Sequence, residues 1–197
     1  MGLRNCEVKI VDADFIGRNG FNVFISAFDR YKGVKRPSIK EKEFRERCLQ
    51  MRDFEDIVHF WGVFHNNTLI AYSQDYIYED IEVNFSAAKF HPDYLKLRPS
   101  EALNYERNRY YLRDNKYQYV NDGFRSILHQ TNYQDFLIRK FGFKKAYTNL
   151  YVHYRPFLSA CIKMTYPVRN ILRRINRKLN AVYTMEEVIR KQNINKM

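Results

Sequence analysis

The stretch from Tyr117 to Pro156 constrains the fold more than any other. Tyr117-Gln118-Tyr119-Val120 has strand composition, and Asn132 to Lys140 follows at helical spacing, with Tyr133, Phe136, Leu137 and Phe141 on one face. Gly142, set between Phe141 and Phe143, marks the helix end, because glycine enters the left-handed conformation that closes a helix without steric cost. From Lys144 to Tyr154 the residues Leu150, Val152 and Tyr154 alternate as they would in a strand. Strand, helix and strand together predict a β-α-β unit.

The preceding chain supplies the rest of a sheet. Cys6 to Asp12 alternates through Val8 and Ile10 and predicts a short first strand. Ile16, Val23, Phe24, Ala27, Phe28 and Tyr31 recur at helical spacing and predict a helix over 19–31, its first turn weakened by Gly17 and Gly20. Pro37-Ser38 introduces a second, solvent-facing helix over 39–51, with Phe44, Cys48 and Met51 on one side. Three strands follow, over 57–64, 69–78 and 81–90, with turn chemistry at Asn66-Asn67 and Glu79-Asp80. Ile81, Val83, Phe85 and Ala87 alternate to one side of the third, so the three form an antiparallel meander. His91-Pro92 ends it, and Pro99 opens a helix over 100–112. The face of that helix is untidy: Ala102, Leu103, Tyr110 and Tyr111 are interrupted by Glu106 and Arg107. A crossover through this helix requires Tyr117 to Val120 to run parallel to the third meander strand.

At 197 residues and 45% hydrophobic content the chain can bury a sizeable core. The net charge of +12 favours an anionic partner: a phosphorylated cofactor, a nucleic acid or an anionic membrane surface. Cys6, Cys48 and Cys161 lie far apart, outside disulfide-framework or zinc spacing, and fit a reducing cytoplasm. The first residues lack the apolar core of a signal peptide, and no apolar run approaches the roughly 20 residues of a membrane span, so the expectation is a soluble or peripheral protein.

The element order β-α-α-β-β-β-α-β-α-β, with a helix closed by Phe141-Gly142-Phe143 and an aromatic strand after it, resembles the GNAT (Gcn5-related N-acetyltransferase) superfamily, including its FemAB-like branch. The resemblance implies an α+β fold, a mixed and mostly antiparallel central sheet flanked by helices. It implies an acyltransferase domain over 1–157 and a basic helical extension over 158–197. The implied activity moves an acyl group, most commonly acetyl from acetyl-CoA or another acyl-CoA, to an amine on a small-molecule or sugar-linked acceptor. It places the donor between the fourth and fifth strands, with the pyrophosphate at the loop after the fourth, where helix N-terminal amides favour an anion. Here that loop is residues 90–100, and His91, Lys96, Leu97, Arg98 and Ser100 are the candidate donor-binding residues, with Asn132 at the next helix start. The chain departs from the family twice. No glycine occurs between Gly62 and Gly123, where the family has a Gly-rich loop, and Ile138 stands where a tyrosine commonly protonates the departing thiolate. Both departures suit the FemAB-like branch, whose donors include aminoacyl-tRNA, and equally a relative without turnover.

The replacement chemistry is sought in residues 121–132, between the end of a strand and the start of a helix, where functional groups collect in α/β architectures. Asp122 or His129 is the candidate general base, Arg125 an acceptor-binding cation, and Asn132 an amide donor. Glu82 and Asn84, on the third meander strand opposite to Ile81, Val83 and Phe85, are a further candidate base and an acceptor-binding residue. The plain alternatives are an Asp-Gly turn, an Asn N-cap, a structural histidine and a solvated sheet face.

After Pro156 the residues Val168, Ile171, Leu172, Ile175 and Leu179 lie at helical spacing with Arg169, Arg173, Arg174, Arg177 and Lys178 around them, which predicts a basic amphipathic helix. It would meet an anionic membrane or nucleic acid, or pack on its own domain. Two function classes therefore stand: an acyltransferase, and a non-catalytic protein of the same fold that uses its basic surface for binding.

Overall fold

The computed structural model describes residues 2–30, 36–123 and 132–194. The chain divides into two compact units, Met1–Gly123 and Phe124–Met197. The domain expected over 1–157 would join the first unit to part of the second.

The first unit is a five-stranded sheet in the order β1-β2-β3-β4-β5: β1 Glu7–Val11, β2 Val58–His65, β3 Thr68–Tyr78, β4 Glu82–Phe90 and β5 Tyr119–Asn121. The first four are antiparallel, and β5 pairs parallel to β4, as a helical crossover demands. Asn66 and Asn67 (φ 47° and 62°) close the β2–β3 hairpin, and Glu79 and Asp80 (φ 51° and 52°) close the next, all in the left-handed region that primed hairpin turns require.

The first helix begins earlier than its apolar spacing predicts. Asp12 caps α1 (Ala13–Asn19), its Oδ1 accepting from the Phe15 N–H at 2.5 Å, and Gly20 separates α1 from α2 (Phe21–Ser26). Gly17 lies inside α1 because a Cβ there would come within 3.3 Å of the Arg45 side chain and 3.4 Å of Cys48 Cβ; its absence lets α1 approach α3 (Glu41–Leu49). Ala13, Ile16, Val23, Phe44, Cys48, Val58, Phe60 and Tyr72 form the core between these helices and the sheet.

On the other face lies α4 (Pro99–Asn108), prolonged by a π-helical turn over Arg109–Asp114. The interruption of its apolar pattern has a physical reason. Arg107 is fully buried and its Nη1 donates to Asp75 Oδ1 on β3 at 2.7 Å, while its guanidinium carbon sits 3.7 Å from the Phe85 ring centroid.

In the second unit α5 (Tyr133–Phe141) ends at Gly142, φ +70°, as expected. The strand expected over 144–154 does not form: the described residues 142–155 carry no strand. Instead Gln192 takes the part of a neighbouring strand, its Oε1 accepting from the Leu150 N–H at 2.9 Å and its Nε2 donating to the Leu150 C=O at 3.2 Å.

The expected single amphipathic helix is also corrected. After α6 (Pro156–Thr165) it is broken between α7 (Arg169–Ile175) and α8 (Arg177–Ile194), because Asn176 leaves the helix in an extended conformation and caps α8 by accepting from the Leu179 N–H at 2.8 Å. Arg169 and Arg173 are not free surface cations. Both donate to Glu187 on α8, at 3.0 Å and 2.9–3.0 Å. Burial pushes the Glu187 carboxyl up, but the hydrogen bonds from the two guanidiniums outweigh it and hold the group below its ordinary value.

Candidate active site

The site follows from where β4 loses a neighbour. β5 pairs with β4 only at Glu82↔Tyr119, Val83↔Val120 and Asn84↔Asn121. Beyond Asn84, β4 runs on to Phe90 paired with β3 alone among the described residues. At the same place β4 carries a bulge: Gln74 and Asp75 of β3 face Ala87 and Phe85, which leaves Ser86 as the extra residue.

Three of the sequence-predicted residues gather at this divergence. Glu82 faces Tyr119 and Asn121 across the parallel pair; its Oε2 accepts from the Tyr119 hydroxyl at 2.9 Å and its Oε1 from the Asn121 side-chain amide. Those hydrogen bonds to Glu82 raise the Tyr119 hydroxyl, since a carboxylate beside a phenol disfavours the phenolate. Asn84 is half-buried, with its Oδ1 3.7 Å from the point where a side chain on Gly123 would begin. Asp122, also half-buried, follows the last residue of β5, and Asn121 Oδ1 accepts from the Gly123 N–H at 2.7 Å to turn the chain there. Glu82 and Asn84 thus lie on β4, and Asp122 follows β5, where the described pairing of the two strands ends. Arg125 and His129 lie outside the described residues. Asn132 precedes α5 in the second unit, where its backbone C=O accepts from the Phe136 N–H at 2.9 Å without a side-chain cap.

The expected donor loop is only partly suited to an anion. Residues Pro92–Leu97 form a 3-10 turn, and Arg98, at φ 60°, begins α4. Pro99 has no N–H, and the N–H groups of Glu101 and Ala102 both donate to the Arg98 C=O. A Cβ on Gly2 would stand 2.6 Å from that same C=O, so the N-terminal turn packs directly on the helix start. Arg98 Nη1 is 3.6 Å from Glu101 Oε1, His91 Nδ1 accepts from the Asp93 N–H at 3.4 Å, and the Leu97 C=O accepts from the Cys6 thiol at 3.8 Å. Lys96 is exposed and Ser100 half-buried. Of the expected set, Lys96 keeps the clearest access to a phosphate.

Sequence reading missed a polar cluster behind β4. The Tyr111 hydroxyl, in the π-helical turn, accepts from Trp61 Nε1 at 3.0 Å, donates to Asp75 Oδ2 at 3.3 Å and lies 3.0 Å from His59 Nδ1. Burial pushes the Asp75 carboxyl up to about 6 against the pull of the Arg107 guanidinium. Burial lowers His59 and, before the charge of Asp75, raises Tyr111. Lys89 was missed as well: it lies on β4 beyond the divergence, 4.7 Å from the Phe28 ring centroid, with its amine lowered by burial.

Comparison with solved structures shows what architecture this is. The chain superimposes on a "possible acetyltransferase" from Clostridium difficile 630 with a TM-score of 0.58, 9% identity, and coverage of 77% of this chain and 98% of that one. It matches a GNAT family acetyltransferase from Staphylococcus aureus with a TM-score of 0.52, 10% identity, and coverage of 76% and 99%. It matches an aminoglycoside N-acetyltransferase in complex with CoA with a TM-score of 0.53, 8% identity, and coverage of 76% and 95%. The chain has the GNAT fold. No protein-family model and no curated protein matches its sequence. The GNAT-like sheet is thus carried by a sequence of very low identity to these structures, which leaves the chemistry to be argued from the side chains present.

Proposed function

We propose that the protein is an acyltransferase that moves an acyl group, acetyl from acetyl-CoA in the first instance, to an amine on a small-molecule or sugar-linked acceptor. The observation that carries the reading is the Glu82 carboxylate held by Tyr119 and Asn121 where the described β4–β5 pairing ends, with Asp122 following the last residue of β5. An acyl-pantetheine is an extended chain with two amides, of the kind that can pair beside a strand as an added strand would. The protein of the same fold that holds CoA and acts on aminoglycosides supports this choice of donor and of amine acceptor.

An acceptor enters as an ammonium ion and must lose a proton before it can attack the thioester carbonyl. Glu82, already oriented by Tyr119 and Asn121, and Asp122, one residue beyond β5, are the acceptors for that proton. His129 and Arg125 belong to the same proposal, as an alternative base and as a cation for the acceptor. Lys96 and Arg98 serve the donor's phosphates, with Ser100, His91 and Leu97 lining the approach and Asn132 contributing an amide. The domain boundary we assign to this activity is 1–157.

Thermal-shift titration with acetyl-CoA, longer acyl-CoAs and free CoA, followed by mass spectrometry of aminoglycosides and polyamines incubated with protein and donor, tests the proposal. A CoA-dependent shift and an acyl-mass increment on an amine support it. No shift with any CoA ester and no modified amine would reject it, in favour of the non-catalytic protein that the missing glycines and Ile138 also fit.

A further inference from the structure

We propose that the second unit docks on an anionic phospholipid surface through one face of α6 and α7. This does not rest on the acyltransferase reading, because every residue it uses lies in the second unit, outside the residues of the candidate site.

Phe157 and Met164 stand seven residues apart on α6, and Ile171 and Ile175 four apart on α7, so each pair shares one face of its helix, with Val168 in the 3-10 turn between them. All five point outward, with exposures of 83%, 77%, 50%, 68% and 64%. The opposite side of α7 is the one that packs. There Arg169 and Arg173 close on Glu187 of α8, and the Tyr166 ring lies between the guanidiniums of Arg169 and Arg190, with centroid distances of 4.3 and 3.6 Å. This apolar surface is left over after α7 has packed on α8, and single exposed hydrophobics need no explanation where five within two consecutive helices and their turn do.

Charge selects the occupant. Between residues 136 and 185 the sequence has eleven Lys and Arg residues and no Asp or Glu. Arg155, Lys163, Arg174, Arg177 and Lys178 are exposed beside or beyond the stripe. An apolar face flanked by cations, with Glu187 engaged by Arg169 and Arg173 on the packed side of α7, is the pattern of a helix that lies in the interface of a negatively charged bilayer, its aliphatic side chains among the acyl chains and its cations at the headgroups. A nucleic acid would use the cations and leave Phe157, Met164, Ile171 and Ile175 in water. A second copy of the chain would bury the stripe but bring two sets of cations together. Among the described residues no helix is long and apolar enough to cross a membrane, so the attachment is to one leaflet.

The test is flotation of the full-length protein with phosphatidylcholine vesicles, with and without phosphatidylglycerol, at low and high salt. The proposal expects partition onto the phosphatidylglycerol vesicles alone, weakened by salt. Two variants separate its parts: Met164→Ser/Ile171→Ser/Ile175→Ser removes apolar area, and Arg174→Glu/Lys178→Glu reverses charge. All five positions are exposed, so circular dichroism should show both variants folded, and each should lower partition at least about tenfold. Equal partition onto neutral vesicles, or none onto anionic ones, would overturn the proposal. It is also overturned if a DNA or RNA duplex binds and the serine variant binds it equally while vesicles do not. A dimer in solution that the serine variant dissociates, with no vesicle binding, would assign the stripe to a second copy instead.

Discussion

Arg107 and Asp75 meet at 2.7 Å with neither side chain exposed to solvent, joining α4 to the middle of β3. A buried pair of this kind gains little over an apolar substitute, but leaving one partner alone is costly, because an unpaired charge remains out of water. Arg107→Met should therefore destabilise the protein by about 3–5 kcal/mol in urea unfolding, while Asp75→Leu/Arg107→Met should recover most of that loss. The deficit also has a pH dependence. Asp75 is already pushed up to about 6 and, without Arg107, only rises further. A carboxyl that holds its proton more tightly when folded adds stability that is present below its unfolded value near about 4 and is lost as pH rises through the folded value. The single variant should thus fall further behind the wild type as pH increases beyond that range. A deficit under about 1 kcal/mol at pH 8 would show that the pair does not hold the helix to the sheet.

If Glu82 and Asp122 take the acceptor's proton, Glu82→Gln and Asp122→Asn should each lower kcat by about 10²–10⁴ with little change in melting temperature. Tyr119→Phe removes one of two donors to Glu82 and should have a smaller effect, read best as a displaced limb of the pH–rate profile. Full activity in both carboxamide variants would move the base to His129.

If Lys96 and Arg98 hold the donor's phosphates, Glu101 Oε1, 3.6 Å from Arg98 Nη1, competes with them for Arg98. Lys96→Ala/Arg98→Ala should weaken CoA binding by about 1–3 kcal/mol. Glu101→Gln, by releasing Arg98, should strengthen it by a few tenths to about 1 kcal/mol. Calorimetry with CoA reads both, and weaker binding in the Glu101 variant would contradict the assignment.

Gly142 has φ +70° at the end of α5 with no atom within 4 Å of where a Cβ would be. The cost of Gly142→Ala is then conformational alone, about 1 kcal/mol by thermal or urea unfolding. A neutral result would mean that the helix ends in another conformation.

Local signals carried most of the first unit. Asn66-Asn67 and Glu79-Asp80 announce the hairpins, and the crossover rule places β5 parallel to β4, as the structure has it. What stayed hidden depended on partners distant in sequence. Arg107 falls between Leu103 and Tyr111 at four-residue spacing, both fully buried, and Asp75 lies between Ser73 and Ile77 on a buried strand face. Each looked like a flaw in an apolar pattern; together they are a pair, and only the fold brings them into register. The strand expected over 144–154 failed for the converse reason, since alternation at Leu150, Val152 and Tyr154 states a preference but names no neighbour, and Gln192 took that place. Glu82 and Asn84 were legible as the outward face of a strand. The fork of Tyr119 and Asn121 on Glu82 was not, because it needs the register of a parallel pair.

β5 is held by three residue pairs, whereas β2 and β3 share eight. Local opening free energies rise with the number of ladder bonds and buried contacts that must break together. The amides of Tyr119, Val120 and Asn121 should accordingly exchange with deuterium long before those of β2 and β3. Among the described residues the sheet is therefore stiffest at its centre and most readily unzipped along β5.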